Sequence, residues 1–118
     1  MSKIVITGAS GFVGANLAQN LSKTKHQIHV LTRKNSKLWR LEDIKTKLNI
    51  HKVTLDNSKA LKKKLLEIEP KFVFHCATYG VLPFQTNFSK LIKTNLIGTY
   101  NLLQALEECN KLSKLVNL

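Results

Sequence analysis

The sequence predicts an α/β fold, a doubly wound parallel sheet, on three observations. Strand-like and helix-like patterns alternate from one end of the chain to the other, the strand-like runs are too apolar to face water, and glycines break the chain between the first strand and the first helix.

Taken in order, KIVIT is a short β-branched strand and FVGANLAQNLSKTK carries the helical period. HQIHVLT alternates like a strand. In NSKLWRLEDIKTK, Leu38, Leu41 and Ile44 fall on one side of a short helix, and NIHKVTL follows as the third strand. SKALKKKLLEIE is the next helix, with Leu61, Leu65, Leu66 and Ile68 as its buried stripe and Pro70 closing it. KFVFHCA is an apolar fourth strand. The loop TYGVLPFQT then leads to a long helix from about Phe88 to Cys109 with Asn87 as its N-cap, and KLVNL ends the chain as a fifth strand. This order, β-α-β-α-β-α-β-α-β, places helices on both faces of the sheet, a Rossmann-type arrangement. Residues 1–118 form one domain with no linker, repeat or low-complexity stretch.

Composition narrows the function classes. Hydrophobic residues make 43% of the chain and charged ones 22%, a globular balance with no apolar run of membrane-spanning length. The start lacks the apolar stretch and cleavage site of a signal peptide, so a cytoplasmic location is expected. Cys76 and Cys109 stand far apart in no metal-binding spacing and read as reduced, half-buried thiols, with neither a disulfide nor zinc. The net charge of +12 raises nucleic acid as a partner. The lysines, however, are spread along the chain, and Lys62, Lys63 and Lys64 fan across the exposed side of a helix with no aromatic interleaving. A solvated lysine-rich surface is favoured, compatible with attraction to small anions.

The glycines Gly8, Gly11 and Gly14 occupy the strand-to-helix turn where backbone approaches a phosphate most closely. Gly8 suits the tight turn, Gly11 the close approach, and Gly14 the packing of helix on strand. Ser10, Phe12 and Val13 complete the loop and the helix start, whose N–H groups and partial positive charge favour an anion. A plain strand-to-helix turn is the alternative.

The spacing G-x-x-G-x-x-G in TGASGFVG resembles the cofactor loop of the extended short-chain dehydrogenase/reductases, the NAD(P)-dependent epimerase/dehydratase family acting on nucleotide sugars. VFHCAT resembles that family's H-x-A segment after the fourth strand, and TNLIGTYNLLQA its T-N-x-x-G-T-x-N-L-L-x-A helix. The resemblance runs from Lys3 to Leu118. It implies a dinucleotide site in which the backbone of Cys76, Ala77 and Thr78 runs beside the cofactor ribose and Asn95 supports a water and backbone network. Asp56 and Asn57 either lie by the adenine or, with Ser58, cap the third helix. His75 reads as a satisfied, partly buried imidazole, and Gly98 lets its helix pack closely on the sheet.

Cofactor choice is read at the end of the second strand. NAD-selective members carry an acid there, whereas VLTRKNS offers Thr32, Arg33 and Lys34. A guanidinium grips a 2′-phosphate, so Arg33 favours NADP over NAD; stacking on adenine or facing solvent are its alternatives.

The resembled family's chemistry requires a Ser/Thr and a Tyr-x-x-x-Lys pair after the fifth strand. Tyr79 and Tyr100 are the only tyrosines, followed four residues on by Pro83 and Gln104. The expectation is therefore an incomplete dinucleotide-binding domain, cut at about the fifth strand and without its substrate domain. It would be the NAD(P)-binding portion of a nucleotide-sugar epimerase, dehydratase or ketoreductase, inactive alone, with no catalytic residue and no metal site. Self-association through the exposed sheet edge or the last helix follows from such a cut. A stand-alone NAD(P)-binding or sensing module and a basic nucleic-acid-binding protein are the alternatives.

Overall fold

The computed structural model describes all residues, 1–118. Five strands, β1 Lys3–Thr7, β2 Gln27–Thr32, β3 Leu48–Lys52, β4 Phe72–His75 and β5 Lys114–Asn117, form one sheet in the order β3-β2-β1-β4-β5. All four pairings are parallel. The expected Rossmann-type sheet is therefore present, and β1 lies at its centre.

Alternation along the strands divides the core in two. Ile4, Ile6, Ile28 and Val30 face α1, Phe12–Leu21, meeting Ala15 and Ala18. Val5, Leu31 and Val73 face the opposite layer, made by α2, Ser58–Ile68, and α4, Gly98–Leu106. Leu61, Leu65 and Leu102 are fully buried there. Leu66 departs from the expected stripe: it is 40% exposed, because one residue beyond Leu65 turns roughly 100° away from the sheet. Asn57 caps α2 by accepting the Ala60 N–H at 3.1 Å, and Glu69 ends it in a left-handed conformation, φ 53°, before Pro70.

Two helical segments differ from the expected ones. The stretch Trp39–Lys47 is a 3₁₀ helix, not an α-helix. Its apolar residues Leu38, Leu41 and Ile44 recur every third residue, the period of a 3₁₀ turn, and Leu41 is buried against the α1 layer. The long helix is divided as well. It starts as α3, Phe88–Leu91, capped by the Asn87 side chain on the Lys90 N–H at 3.1 Å, widens into a π-helical segment, Ile92–Ile97, and continues as α4 to Leu106. Cys109 lies beyond its end, buried against the α2 layer. Gly98 packs on Leu55, in the segment after β3, and not on the sheet: a Cβ there would stand 2.9 Å from the Leu55 Cβ. No helix is long and apolar enough to cross a membrane.

Three ion pairs, Lys62–Glu108, Lys64–Glu67 and Lys111–Glu69, lie at the surface and add little stability each. A histidine pair is more consequential. His29 and His51 stack at 5.2 Å on neighbouring strands, with His29 Nδ1 and His51 Nε2 3.0 Å apart. Burial first, then the charge of His51, lowers the His29 pKa from 6.5 to about 4, and burial lowers that of His51. The native state thus binds fewer protons than the unfolded chain between pH 6.5 and about 4, so stability falls as pH drops through that window. Thermal midpoints measured from pH 7 to pH 4 should decline, and His29→Gln should remove part of the slope; a flat profile in the parent chain would contradict the assignment.

Candidate functional site

A cleft of about 720 Å³ opens at the C-terminal ends of β1, β2 and β4, between the first loop, the segment after β2 and the helix from α3 onward. This is where open parallel sheets hold ligands, at the point where the strand order reverses from one side of β1 to the other.

The glycine loop forms its floor. Gly8 adopts φ +69°, and a Cβ there would lie 2.5 Å from the Ala77 nitrogen, so the loops after β1 and β4 touch backbone to backbone. A Cβ on Gly14 would collide with the Gly8 carbonyl. Gly14 therefore seats α1 on the loop itself and not on the strand as the sequence suggested. Gly11 differs from both. A Cβ on Gly11 would meet only the Gly8 oxygen, at 3.5 Å, so its side is open to the cleft. Gly11 is also the N-cap of α1 and provides no side chain to cap it. The first intrahelical bond comes from Ala15 N–H to the Gly11 carbonyl, which leaves the N–H groups of Phe12, Val13 and Gly14 without helical acceptors. No acidic residue in the first turn offsets their positive end.

Of the residues singled out from sequence, Gly8, Ser10, Gly11, Phe12, Val13, Gly14, Arg33, Asp56, Cys76, Ala77 and Thr78 all line this cleft. Asn57 does not, its side chain being committed to the α2 cap. Asn95 stands behind the cleft wall in the π-helical segment. Its Oδ1 accepts the Tyr79 N–H at 2.8 Å and the Thr78 hydroxyl at 3.3 Å, while its Nδ2 donates to the Tyr79 carbonyl at 2.6 Å. The amide thus binds the loop after β4 to the helix in place of a backbone ladder.

Three features escaped the sequence reading. Arg40, from the 3₁₀ helix, lies 4.3 Å over the Trp39 ring, lines the cleft and donates to the Ser10 carbonyl at 3.0 Å, holding the glycine loop. No local pattern marks an arginine as reaching 30 residues back. Thr32 is 5% exposed on the cleft wall and its hydroxyl has no partner, a polar atom of the kind that a ligand satisfies. Burial also raises the pKa of the Cys76 thiol, which keeps that group neutral in the cleft.

Residues 4–118 match the model of the NAD dependent epimerase/dehydratase family. Among curated proteins, Protein CapI of Staphylococcus aureus is 32% identical over 98% of this chain and 36% of its own length. The UDP-glucose 4-epimerase of Mycoplasma pneumoniae is 30% identical over 93% of this chain and 33% of its own. The chain thus spans about a third of the length of the curated relatives it matches. Among solved structures, the UDP-Glc/GlcNAc 4-epimerase from Campylobacter jejuni superimposes with a TM-score of 0.86 at 22% identity, over 99% of this chain and 36% of that one. The Bordetella bronchiseptica enzyme WbmG in complex with NAD does so at 0.84 and 23% identity, over 98% and 36%.

The three glycines should separate in a stability series. Gly8→Ala adds a left-handed strain and a backbone clash, and Gly14→Ala a backbone clash, so each should lower unfolding stability by about 2 kcal/mol or more. Gly11→Ala meets open space and costs only the poorer N-cap, about 1 kcal/mol or less. Urea midpoints check this, and equal losses at all three positions would refute the geometry.

Proposed function

The chain belongs to the NAD dependent epimerase/dehydratase family, and from that premise we propose that its cleft binds a nicotinamide dinucleotide as the cofactor portion of an enzyme acting on nucleotide sugars. The observation that carries the proposal is the start of α1, where unpaired N–H groups face open space at Gly11 on a backbone-only floor. The residues present fit the cofactor. The helix start receives its pyrophosphate, the Cys76–Thr78 backbone runs beside a ribose, and Asp56 on the far wall lies at the adenine end. When bound, the dinucleotide supplies hydride exchange with a sugar carbon. This chain's residues bind and orient it. Neither tyrosine is followed four residues on by a lysine, so in this reading residues 1–118 serve cofactor binding and do not exchange the hydroxyl proton. The free cysteines Cys76 and Cys109 suit work in the cytoplasm.

NADP is the preferred cofactor in this reading. Arg33 is exposed at the cleft rim outside the three ion pairs, directly after Thr32, and no carboxylate stands at the strand end to repel a 2′-phosphate. Calorimetric titration of the parent chain should show binding of both dinucleotides with NADP the tighter. Arg33→Asp should move the preference toward NAD by about tenfold, and Gly11→Val should abolish binding of both without unfolding the sheet. An unchanged NADP/NAD ratio in Arg33→Asp removes Arg33 from the ribose site, and unchanged affinity in Gly11→Val removes the loop.

A second copy of the chain is the proposed partner of the outer helix face. Leu96, Ile97, Tyr100 and Leu103 form an exposed apolar stripe along the π segment and α4, and β5 pairs with β4 alone. Light scattering over a concentration series should show a dimer that Tyr100→Glu disperses, and the chain should give no turnover with 4-keto nucleotide sugars and NAD(P)H. A monomer at all concentrations, or turnover above a blank, would reject the corresponding half.

A further inference from the structure

Beneath the cleft floor lies a buried hydrogen-bonded chain that neither the cofactor site nor the core packing requires. Thr7 ends β1, His75 ends β4, and Thr99 sits in the first turn of α4. The Thr7 Oγ1 is 2.7 Å from His75 Nδ1, and His75 Nε2 is 2.8 Å from Thr99 Oγ1. The same Thr7 oxygen accepts the N–H groups of Cys76 at 3.1 Å and Ala77 at 3.2 Å, the Cys76 N–H being shared with the Thr7 carbonyl at 3.2 Å.

Counting donors and acceptors decides the proton positions. Both lone pairs of the Thr7 hydroxyl receive amide hydrogens, so its own proton goes to His75 Nδ1. That nitrogen must then be unprotonated, which puts the ring proton on Nε2, donated to Thr99. We propose that His75 is a positioning residue held as the neutral Nε2–H tautomer, and that through Thr7 it fixes the Cys76 and Ala77 amides on the cleft floor. An imidazolium has two donors and no acceptor. Its Nδ1–H would need a lone pair that Thr7 has already given to the amides, so protonation displaces one of them and loosens the floor where Gly8 and Ala77 touch.

Burial lowers the pKa of His75, in the direction that keeps the ring neutral. The side chains facing it from β1 and α4, Thr7 and Thr99, carry no charge, Asn117 stands opposite it in register on β5, and the adjacent Cys76 thiol is also held neutral by burial. Acidification is therefore the only charge change at the junction, and it makes dinucleotide affinity fall together with His75 titration. That last consequence rests on the cofactor reading above; the tautomer does not.

Nitrogen-15 spectra of the ligand-free chain provide the test. At pH 7 the Nδ1 resonance of His75 should lie in the unprotonated range and Nε2 in the protonated one, and on acidification the Cys76 and Ala77 amide signals should shift with the same midpoint as the ring. Thr7→Val should speed amide exchange at Ala77 at least tenfold, while Cys76 keeps its bond to the carbonyl of residue 7, and Thr7→Ser, which keeps the hydroxyl, should restore it. An Nδ1–H tautomer, a ring charged at pH 7, amides that titrate apart from it, or unchanged exchange in Thr7→Val each overturn the proposal. In parallel, NAD and NADP affinity of the parent chain should fall at least tenfold across the His75 midpoint; an affinity flat across it overturns the coupling to the site. Failure of both dinucleotides to bind at any pH refutes the cofactor reading and leaves the spectra to decide the role of His75.

Discussion

Three stretches of backbone meet at Gly8 with no room for a side chain between them, and the rest of the architecture is arranged around that junction. The loop leaving β1, the first turn of α1 and the loop leaving β4 approach within ordinary contact only because Gly8 and Gly14 lack a Cβ. Such closeness needs β1 and β4 to be neighbours, which the strand order provides. It also needs the two loops to be held by side chains of other elements. Arg40 holds one through Ser10, and Asn95 holds the other through Tyr79. The cleft is thus a space kept open by tight contacts beneath it, and its preorganisation resides in those contacts.

The two-sided core gives the junction its rigidity. Every residue of β1 from Ile4 to Thr7 is buried, alternating between the α1 layer and the α2–α4 layer. A strand enclosed on both faces and paired on both edges has little freedom to shift register, since a slip by one residue would exchange Val5 with Ile4 and Ile6 across the sheet. Three of the four buried polar residues, Thr7, Thr32 and His75, sit at strand ends facing the cleft or its floor, and the fourth, His29, lies within β2 stacked on His51.

Much of this was legible in the sequence because it is local. Five strands appeared close to where their patterns placed them, although β3 ends at Lys52 and leaves Val53, Thr54 and Leu55 to the following segment, and the glycine spacing located the cleft. Asn87 was recognised as a cap because a cap acts three residues away. Leu38, Leu41 and Ile44 signalled a helix, but a spacing of three fits a 3₁₀ turn as well as one side of an α-helix, and packing against α1 decided between them. What was hidden is what crosses between elements. The partner of Gly98 is Leu55, that of Arg40 is Ser10, and those of His75 are Thr7 and Thr99, pairs far apart in the chain whose meeting depends on how helices settle on the sheet. Arg40 illustrates the limit, since its composition and neighbours are those of any surface arginine.

The widened turn at Ile92–Ile97 has a geometrical meaning of its own. An α-helix advances about 100° per residue, so residues that share a face at its start share it at its end. One π-type turn breaks that phase. Lys93, Thr94 and Asn95 answer to the cleft and its wall, whereas Gly98, Leu102, Ala105 and Leu106 answer to the core, and the two sets need not lie on one stripe. A single rod therefore works as two rotors on a common axle. Substitutions on the cleft side can accumulate without dragging the core side out of alignment, and a one-residue deletion between them would turn one against the other even though every side chain survived.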